Sequence, residues 1–155
     1  MKLLALVGLS IVIAGCSSGT PESSQPAASA PAAAPPAPTS RVFFVEPTDG
    51  ATVKSPVLLR FGAESFSIMA VPAGEVTAVR AGMGHHHVGV DIDCLPPGTE
   101  IPKADPWVHF GTGGAEMAPG MQLTPGPHKL TLQIGDDKHM TIAGLCQTIN
   151  VTVAQ

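Results

Sequence analysis

The stretch from Gly84 to Cys94 constrains the fold of this chain more than any other. Three consecutive histidines open it, apolar residues then alternate with small or acidic ones, and a cysteine ends it. This alternation is typical of a half-buried β-strand, because successive side chains point to opposite faces of a sheet. The pattern predicts His86 on an inner face, with His85 and His87 together on the outer face, about 7 Å apart.

The remainder of the segment 41–155 also has the composition of a β domain. Short runs of β-branched residues alternate with glycine and proline, and no segment shows a long helical apolar period. The clearest predicted strands cover residues 41–46, 53–61, 128–134 and 147–153. About seven strands in this length predict an all-β, immunoglobulin-like β-sandwich, with a cupredoxin-like sandwich as the alternative.

Residues 1–16 have the pattern of a lipoprotein signal peptide. Lys2 precedes an apolar core over 3–13 that is too short to span a bilayer as a mature helix. The ending Ile13-Ala14-Gly15-Cys16 resembles the lipobox of bacterial lipoproteins, which implies lipidation of Cys16 and a membrane attachment through the lipid. Because Ser17 follows the cysteine, Gram-negative sorting rules imply the outer membrane, facing the periplasm. An ordinary signal peptide is the alternative.

Residues 17–40 form a predicted disordered linker rich in proline, alanine and serine. They contain no large apolar side chain, so they cannot bury enough surface to offset their chain entropy. The predicted organisation is therefore a signal peptide over 1–16, a linker over 17–40 and a β-sandwich domain over 41–155. The formal net charge of −4 and the lack of a basic stripe argue against nucleic-acid binding.

The two cysteines beyond Cys16 are predicted to pair. Cys94 and Cys146 form an even pair in an exported domain, and an oxidising compartment favours a disulfide between them. Thiolate ligation of a metal is the alternative, and it is weaker because neither cysteine belongs to a CxxC motif.

The histidines are the candidate metal ligands. Imidazole is a common ligand of copper and zinc, so two outward histidines on one strand and two from loops make a plausible ligand set. The predicted metal ligands are His85, His87, His109 and His139, with Asp91, Glu116 and Met140 as possible additions and copper ahead of zinc. Alternatively, the triplet forms a surface histidine face around an inward, hydrogen-bonded His86. His128 is expected to be a strand-end histidine satisfied by the backbone, and Asp136-Asp137 to shape a turn.

No motif in the sequence points to an enzyme. The chain has neither a GxSxG motif nor a P-loop, and pairing of the cysteines removes a Cys–His nucleophile. The predicted function is a non-catalytic, histidine-based metal-binding module of the cell envelope. The alternative is an envelope module that binds a protein or glycan and uses its histidines structurally.

Several of these motifs together resemble one bacterial family, known as domain of unknown function 4399. The resemblance rests on four motifs, which are Gly84-His85-His86-His87, Val108-His109-Phe110-Gly111, the GDxxH pattern over 135–139 and the segment 43–53. It implies that all six histidines and Glu116 are the polar positions of the family. Family members often carry a second histidine after GDxxH, where this chain has Met140-Thr141-Ile142-Ala143. The resemblance implies export and a β fold, and it implies no activity.

Overall fold

The computed structural model describes residues 39–155. The predicted signal peptide, the lipidation site at Cys16 and all of the linker except its last two residues lie outside the described residues.

Residues 39–155 form strands and loops, which confirms the all-β class. The strands are β1 Arg41–Glu46, β2 Thr52–Val53, β3 Val57–Glu64, β4 Ser67–Ile68, β5 Met83–Val90, β6 Trp107–His109, β7 Glu116–Met121, β8 Gly126–Gly135 and β9 Thr141–Val153. Within this part of the chain, no helix is long and apolar enough to span a membrane.

The strands form two sheets. One has three strands in the order β1-β3-β7, and the other has six, in the order β2-β9-β8-β5-β4 with β6 also paired to β5. One of the two sheets is a curled half-barrel. Pairing is antiparallel except between β2 and β9 and between β4 and β5. Since β4 and β6 share one edge of β5, the other edge is free to pair with β8 from His85 to Val90.

An apolar core fills the space between the sheets. Leu59 and Phe61 contribute to it from β3, and Val88 and Leu132 contribute from β5 and β8. The ring of His86 belongs to the same layer, because its centroid lies 5.1 Å from that of Phe61. His86 therefore occupies the inner face, as the alternation predicts.

The opposite face of the large sheet is covered as well. A segment that we call the strap, residues 92–106, leaves the end of β5 and crosses this outer face before β6 begins. The Gln133 side chain exchanges two hydrogen bonds with the backbone of Leu95, and the Thr141 hydroxyl donates to the carbonyl of Pro96. Cys94 at the start of the strap is bonded to Cys146 of β9, which confirms the predicted disulfide.

Several predicted boundaries differ from the structure, and the last strand, predicted over 147–153, already begins at Thr141. The strand predicted over 53–61 is two strands, because Ser55-Pro56 interrupts it before β3. The histidine strand ends at Val90, since Asp91 has a positive φ of 54° and its carboxylate accepts the backbone N–H of Lys129. The loop predicted over 100–114 contains β6, whose pairing with β5 supplies a strand that local sequence does not reveal.

Candidate metal centre

Three separate parts of the chain bring four histidines together. His85 and His87 lie on the outer face of β5, and His109 lies on β6 directly opposite His87. His139 comes from the turn between β8 and β9. The four predicted ligands His85, His87, His109 and His139 therefore form one group, which we call the histidine cluster.

The histidine cluster is compact enough to hold a metal ion. One ring nitrogen from each residue can be chosen so that all four lie within 4.8 Å of one another. The Nε2 atoms of His109 and His139 are 3.0 Å apart. Two nitrogens bound to one ion at about 2.0–2.1 Å in a tetrahedron lie about 3.3 Å apart, so the cluster needs only small shifts to close around an ion.

The rings are arranged as a tetrahedron rather than a square. Their six centroid distances run from 4.6 Å for His85–His87 to 5.6 Å for His87–His139. In a square, the two diagonals would be about 1.4 times the sides, and no opposite pair in the cluster reaches that ratio. This arrangement matches the ligand geometry of a tetrahedral metal site.

The inner rings of the cluster are buried without hydrogen-bond partners. His85 and His87 are fully buried, and neither ring nitrogen of either residue has a partner. The alternative interpretation, a surface histidine face, is therefore wrong for these two residues, because the strap and the β8–β9 turn cover the outer face of β5. A buried polar nitrogen without a partner is costly, and metal ligation would satisfy one nitrogen of each ring.

Burial keeps the cluster in the neutral form that a metal requires. Burial, followed by the proximity of His109 and His139, lowers the pKa of His85 to about 4. Burial, followed by the proximity of His85, lowers the pKa of His87 to about 2. The pKa values of His109 and His139 are also lowered, chiefly by burial and with a contribution from Lys103. At neutral pH each ring therefore offers a free lone pair.

The β8–β9 turn is built to present His139. The Asp136 carboxylate accepts the backbone N–H groups of Lys138 and Met140, which confirms that this acid shapes a turn. His139 itself has a positive φ of 65°, an uncommon conformation for a residue with a side chain. The surrounding hydrogen bonds hold this conformation and direct the ring towards β5.

Two glycines allow the strands to approach each other at the cluster. A Cβ atom on Gly84 would lie 2.5 Å from the carbonyl oxygen of Gly135, and one on Gly135 would lie 2.7 Å from Cε1 of His87. Any side chain at either position would push β5, β8 or the His87 ring out of place. The glycines before the histidine triplet and before the turn are therefore part of the site.

A buried ion pair supports the turn, and the sequence does not reveal it. The Asp137 carboxylate is 2% exposed, and it accepts two hydrogen bonds from the Arg80 guanidinium and one from the Arg80 backbone N–H. Arg80, first by its hydrogen bonds, lowers the pKa of Asp137 to about 2. The negative charge is close enough to favour a positive charge at His85. The sequence shows only that Asp137 lies two residues before the candidate ligand His139.

The other two histidines have different environments. The Nδ1–H of His86 donates a hydrogen bond to the carbonyl of Gly114, at 3.0 Å, so its predicted inward, hydrogen-bonded role is confirmed. His128 lies 2.9 Å from a carboxylate oxygen of Asp91 and 2.9 Å from the carbonyl of Thr124. Its predicted position at a strand end is confirmed, and a carboxylate adds to the expected backbone partner.

The carboxylates of the two possible acidic ligands, Asp91 and Glu116, do not join the cluster. Asp91 binds His128 and Lys129 beyond the end of β5, and Glu116 forms an ion pair with Arg60 on the three-stranded sheet. Met140 lies next to His139, and its backbone N–H donates to Asp136. Ligation by the Met140 sulfur stays a prediction.

The fold and the site together define an all-β, disulfide-bonded domain with a buried four-histidine cluster that could hold a metal ion. The disulfide suggests an extracytoplasmic location. The chain belongs to the DUF4399 family, described as a domain of unknown function, and the match covers residues 59–154. This membership confirms the resemblance noted in the sequence. No curated protein and no solved structure matches the chain.

Proposed function

We propose that this protein is a lipid-anchored envelope protein whose β domain binds one transition-metal ion, copper or zinc, without catalysis. The ligands are His85, His87, His109 and His139. One observation carries the proposal, namely four ligand nitrogens within 4.8 Å of one another, two of them on fully buried rings without partners. Imidazole nitrogens are suited to both metals.

The ring arrangement favours ions that accept tetrahedral nitrogen ligands. Zn(II) adopts this geometry readily, and Cu(I) shares its filled d shell, whereas Cu(II) prefers tetragonal sites. Four uncharged ligands leave the charge of the ion uncompensated. The buried carboxylate of Asp137 favours a positive charge at His85, so it would partly compensate the charge of the ion. We therefore expect Zn(II) and Cu(I) to fit the site without distortion, and we expect the advantage that Cu(II) ordinarily has over Zn(II) at nitrogen sites to be reduced.

A complete set of four protein ligands supports storage or transfer of the ion rather than catalysis. Catalytic zinc sites keep a position open for water or substrate, whereas sites with four protein ligands are closed. His85 and His87 are buried beneath the strap, and His109 is only partly covered. His109 therefore lies nearer to solvent than His85 and His87 do.

The strand order supports the immunoglobulin-like form of the sandwich. The orders β1-β3-β7 and β9-β8-β5 correspond to the A-B-E and G-F-C strands of that fold. The short strand β2 follows β1 in the chain and pairs with β9 in the other sheet. The disulfide departs from the usual pattern, because it joins the strap to β9 rather than one sheet to the other.

Attachment to the outer membrane through Cys16 is the remaining part of the proposal. It is supported by the lipobox-like sequence ending at Cys16 and by the linker-like composition of residues 17–40. Mass spectrometry of the purified membrane fraction tests it, since an acylated Cys16 at the new N-terminus is expected and an uncleaved or unmodified chain would contradict it.

Metal titration of the full chain tests the binding function. We would measure calorimetric binding of Zn(II), Cu(I) and Cu(II) to the purified protein and to two variants, His87→Leu and His128→Gln. We expect one ion per chain at sub-micromolar affinity, lost in His87→Leu and kept in His128→Gln. Binding that is equally weak in all three proteins would reject the metal site and favour an interaction module with structural histidines.

A further inference from the structure

The strap encloses the histidine cluster and is joined to the turn that carries His139. The backbone N–H of Ile101 donates to the carbonyl of His139, and the N–H of Thr141 donates to the carbonyl of Thr99. Ile101 itself is fully buried. Displacing the strap would therefore uncover the outer face of β5 and release the support of the His139 backbone.

A direct row of paired residues links the disulfide to the cluster. In cross-strand register, His109 lies opposite His87, His87 opposite Gln133, and Gln133 opposite Cys146. Residues paired in this way point to the same face of a sheet, so all four lie on the outer face. Gln133, which lies between His87 and Cys146 in this row, holds Leu95 of the strap through both its amide oxygen and its amide nitrogen.

The disulfide is the covalent attachment of the strap on this face. It joins Cys94, the residue before Leu95, to Cys146 at the end of the row. The other contacts that fasten the strap here include hydrogen bonds from Thr131, Gln133, Thr141 and the backbone, and an ion pair of Asp93 with Lys129. Cys94 is exposed, so a reductant can reach its sulfur.

We propose that the Cys94–Cys146 disulfide controls the retention of the metal by fastening the strap over the histidine cluster. This inference rests on the proposed function. In the oxidised protein the strap keeps water and competing ligands from His85 and His87. In the reduced protein only non-covalent contacts hold the strap, among them the buried Ile101 side chain. The strap therefore opens more often and the ion leaves faster.

The redox step is a thiol–disulfide exchange with a dithiol reductant. One thiolate of the dithiol attacks the exposed sulfur of Cys94, forming a mixed disulfide and releasing the thiolate of Cys146. The second thiol of the reductant then displaces Cys94. Two electrons pass from the dithiol to the two cysteines, two protons follow, and the dithiol becomes a disulfide.

Metal release from the full chain tests the inference. We would load wild type and Cys94→Ser/Cys146→Ser with Zn(II), add a chromogenic chelator in excess, and follow the release rate. We expect release to be about tenfold faster or more in the variant, as expected when local opening limits release. Equal rates in wild type and a folded variant, with folding judged by circular dichroism, would overturn the inference.

Two further measurements keep the test decisive. Thr141→Val removes a hydroxyl that donates to the carbonyl of Pro96 and accepts the N–H of Thr99, and it leaves the disulfide intact. This variant should also release the metal faster if strap opening limits release. If the double serine variant does not fold, reduction of folded, loaded wild type with a dithiol replaces it. An unchanged rate in Thr141→Val and in reduced wild type would overturn the inference.

Hydrogen exchange separates this inference from the proposed function. We expect the amides of Ile101 and Thr141 to exchange faster in metal-free Cys94→Ser/Cys146→Ser than in metal-free wild type. If wild type binds no metal, the proposed function fails, while faster exchange would still show that the disulfide fastens the strap. If metal binds and the exchange rates are equal, the inference alone fails.

Discussion

The two ends of the β5–β8 ladder use histidine in opposite ways. At one end, next to Val90, His128 lies beside the carboxylate of Asp91. Although burial opposes it, the hydrogen bonds to Asp91 and Thr124 raise the pKa of His128. At the other end, His85 and His87 have no carboxylate or carbonyl partner, and burial lowers the pKa of both.

The difference shows what separates a histidine that holds a proton from one that can hold a metal. An acid within hydrogen-bonding distance stabilises the protonated ring, whereas burial among other imidazoles favours the neutral ring and its lone pair. The separation lies in the tertiary environment, because both residues belong to alternating strands and the contacts that each makes in the fold shift its pKa. The predictions below each change one end of the ladder, and together they compare the two ends.

The largest expected effect is stabilisation by metal. At a free ion concentration about 1,000 times the dissociation constant, binding to the native state adds about 4 kcal/mol to the free energy of unfolding. Chemical denaturation of wild type with and without Zn(II) measures this change. We expect the increment to fall in His109→Gln, which keeps only three of the four histidines, and to persist in His128→Gln. An increment that is unchanged in His109→Gln would contradict a four-histidine site.

The sequence alone predicted several features of the two ends of the ladder correctly. Alternation placed His86 inward and placed His85 and His87 together on the other face, because a period of two is a property of the strand itself. It also predicted the strand that contains His128 and the pairing of Cys94 with Cys146. These features depend on local pattern or on the chemistry of the compartment.

Other features depend on contacts that the sequence does not encode locally. Burial of His85 and His87 requires the strap, whose path over the sheet depends on Gln133 and Thr141. The ion pair of Arg80 with Asp137 joins two loops far apart in sequence. The sheet order also places Glu116 with Arg60 on the other sheet, away from the cluster, and no local pattern indicates that.

The second effect is expected from the ion pair beneath the cluster. Asp137→Asn removes a buried charge that accepts hydrogen bonds from Arg80, which should lower the free energy of unfolding by about 2 kcal/mol. It should also weaken metal binding, because the nearby negative charge favours positive charge at the cluster. Denaturation and calorimetry measure the two losses. Asp136→Asn is a matched control, since its amide oxygen can still accept the turn hydrogen bonds.

The third effect is a difference in pH dependence of stability. The pKa of His85 is about 4 and that of His87 about 2 in the folded protein, so between pH 6.5 and 4 only the unfolded chain protonates them. The free energy of unfolding of the metal-free protein therefore falls as the pH falls, by about 1.4 kcal/mol per pH unit for each such histidine.

Substitution of one buried histidine isolates its contribution to the pH dependence of the free energy of unfolding. His87→Leu should flatten the slope between pH 6.5 and 4 by about 1.4 kcal/mol per pH unit, because one proton fewer is taken up on unfolding. Metal-free wild type and variant, compared by urea denaturation at several pH values, give the two slopes. Parallel slopes would mean that His87 takes up its proton over the same pH range in the folded and unfolded protein, so that burial does not lower its pKa.

The smallest effect is expected at the other end of the ladder, and it has the opposite sign. The pKa of His128 is raised in the folded protein, so its contribution to stability is present below pH 6.5 and is lost as the pH rises through the folded pKa. His128→Gln should therefore cost more stability at pH 6 than at pH 8, by less than about 1 kcal/mol, since Asp91 is half exposed. Urea denaturation at the two pH values measures the difference. Because His128 takes no part in the cluster, a loss of metal affinity in this variant would show that the two ends of the ladder are coupled rather than independent.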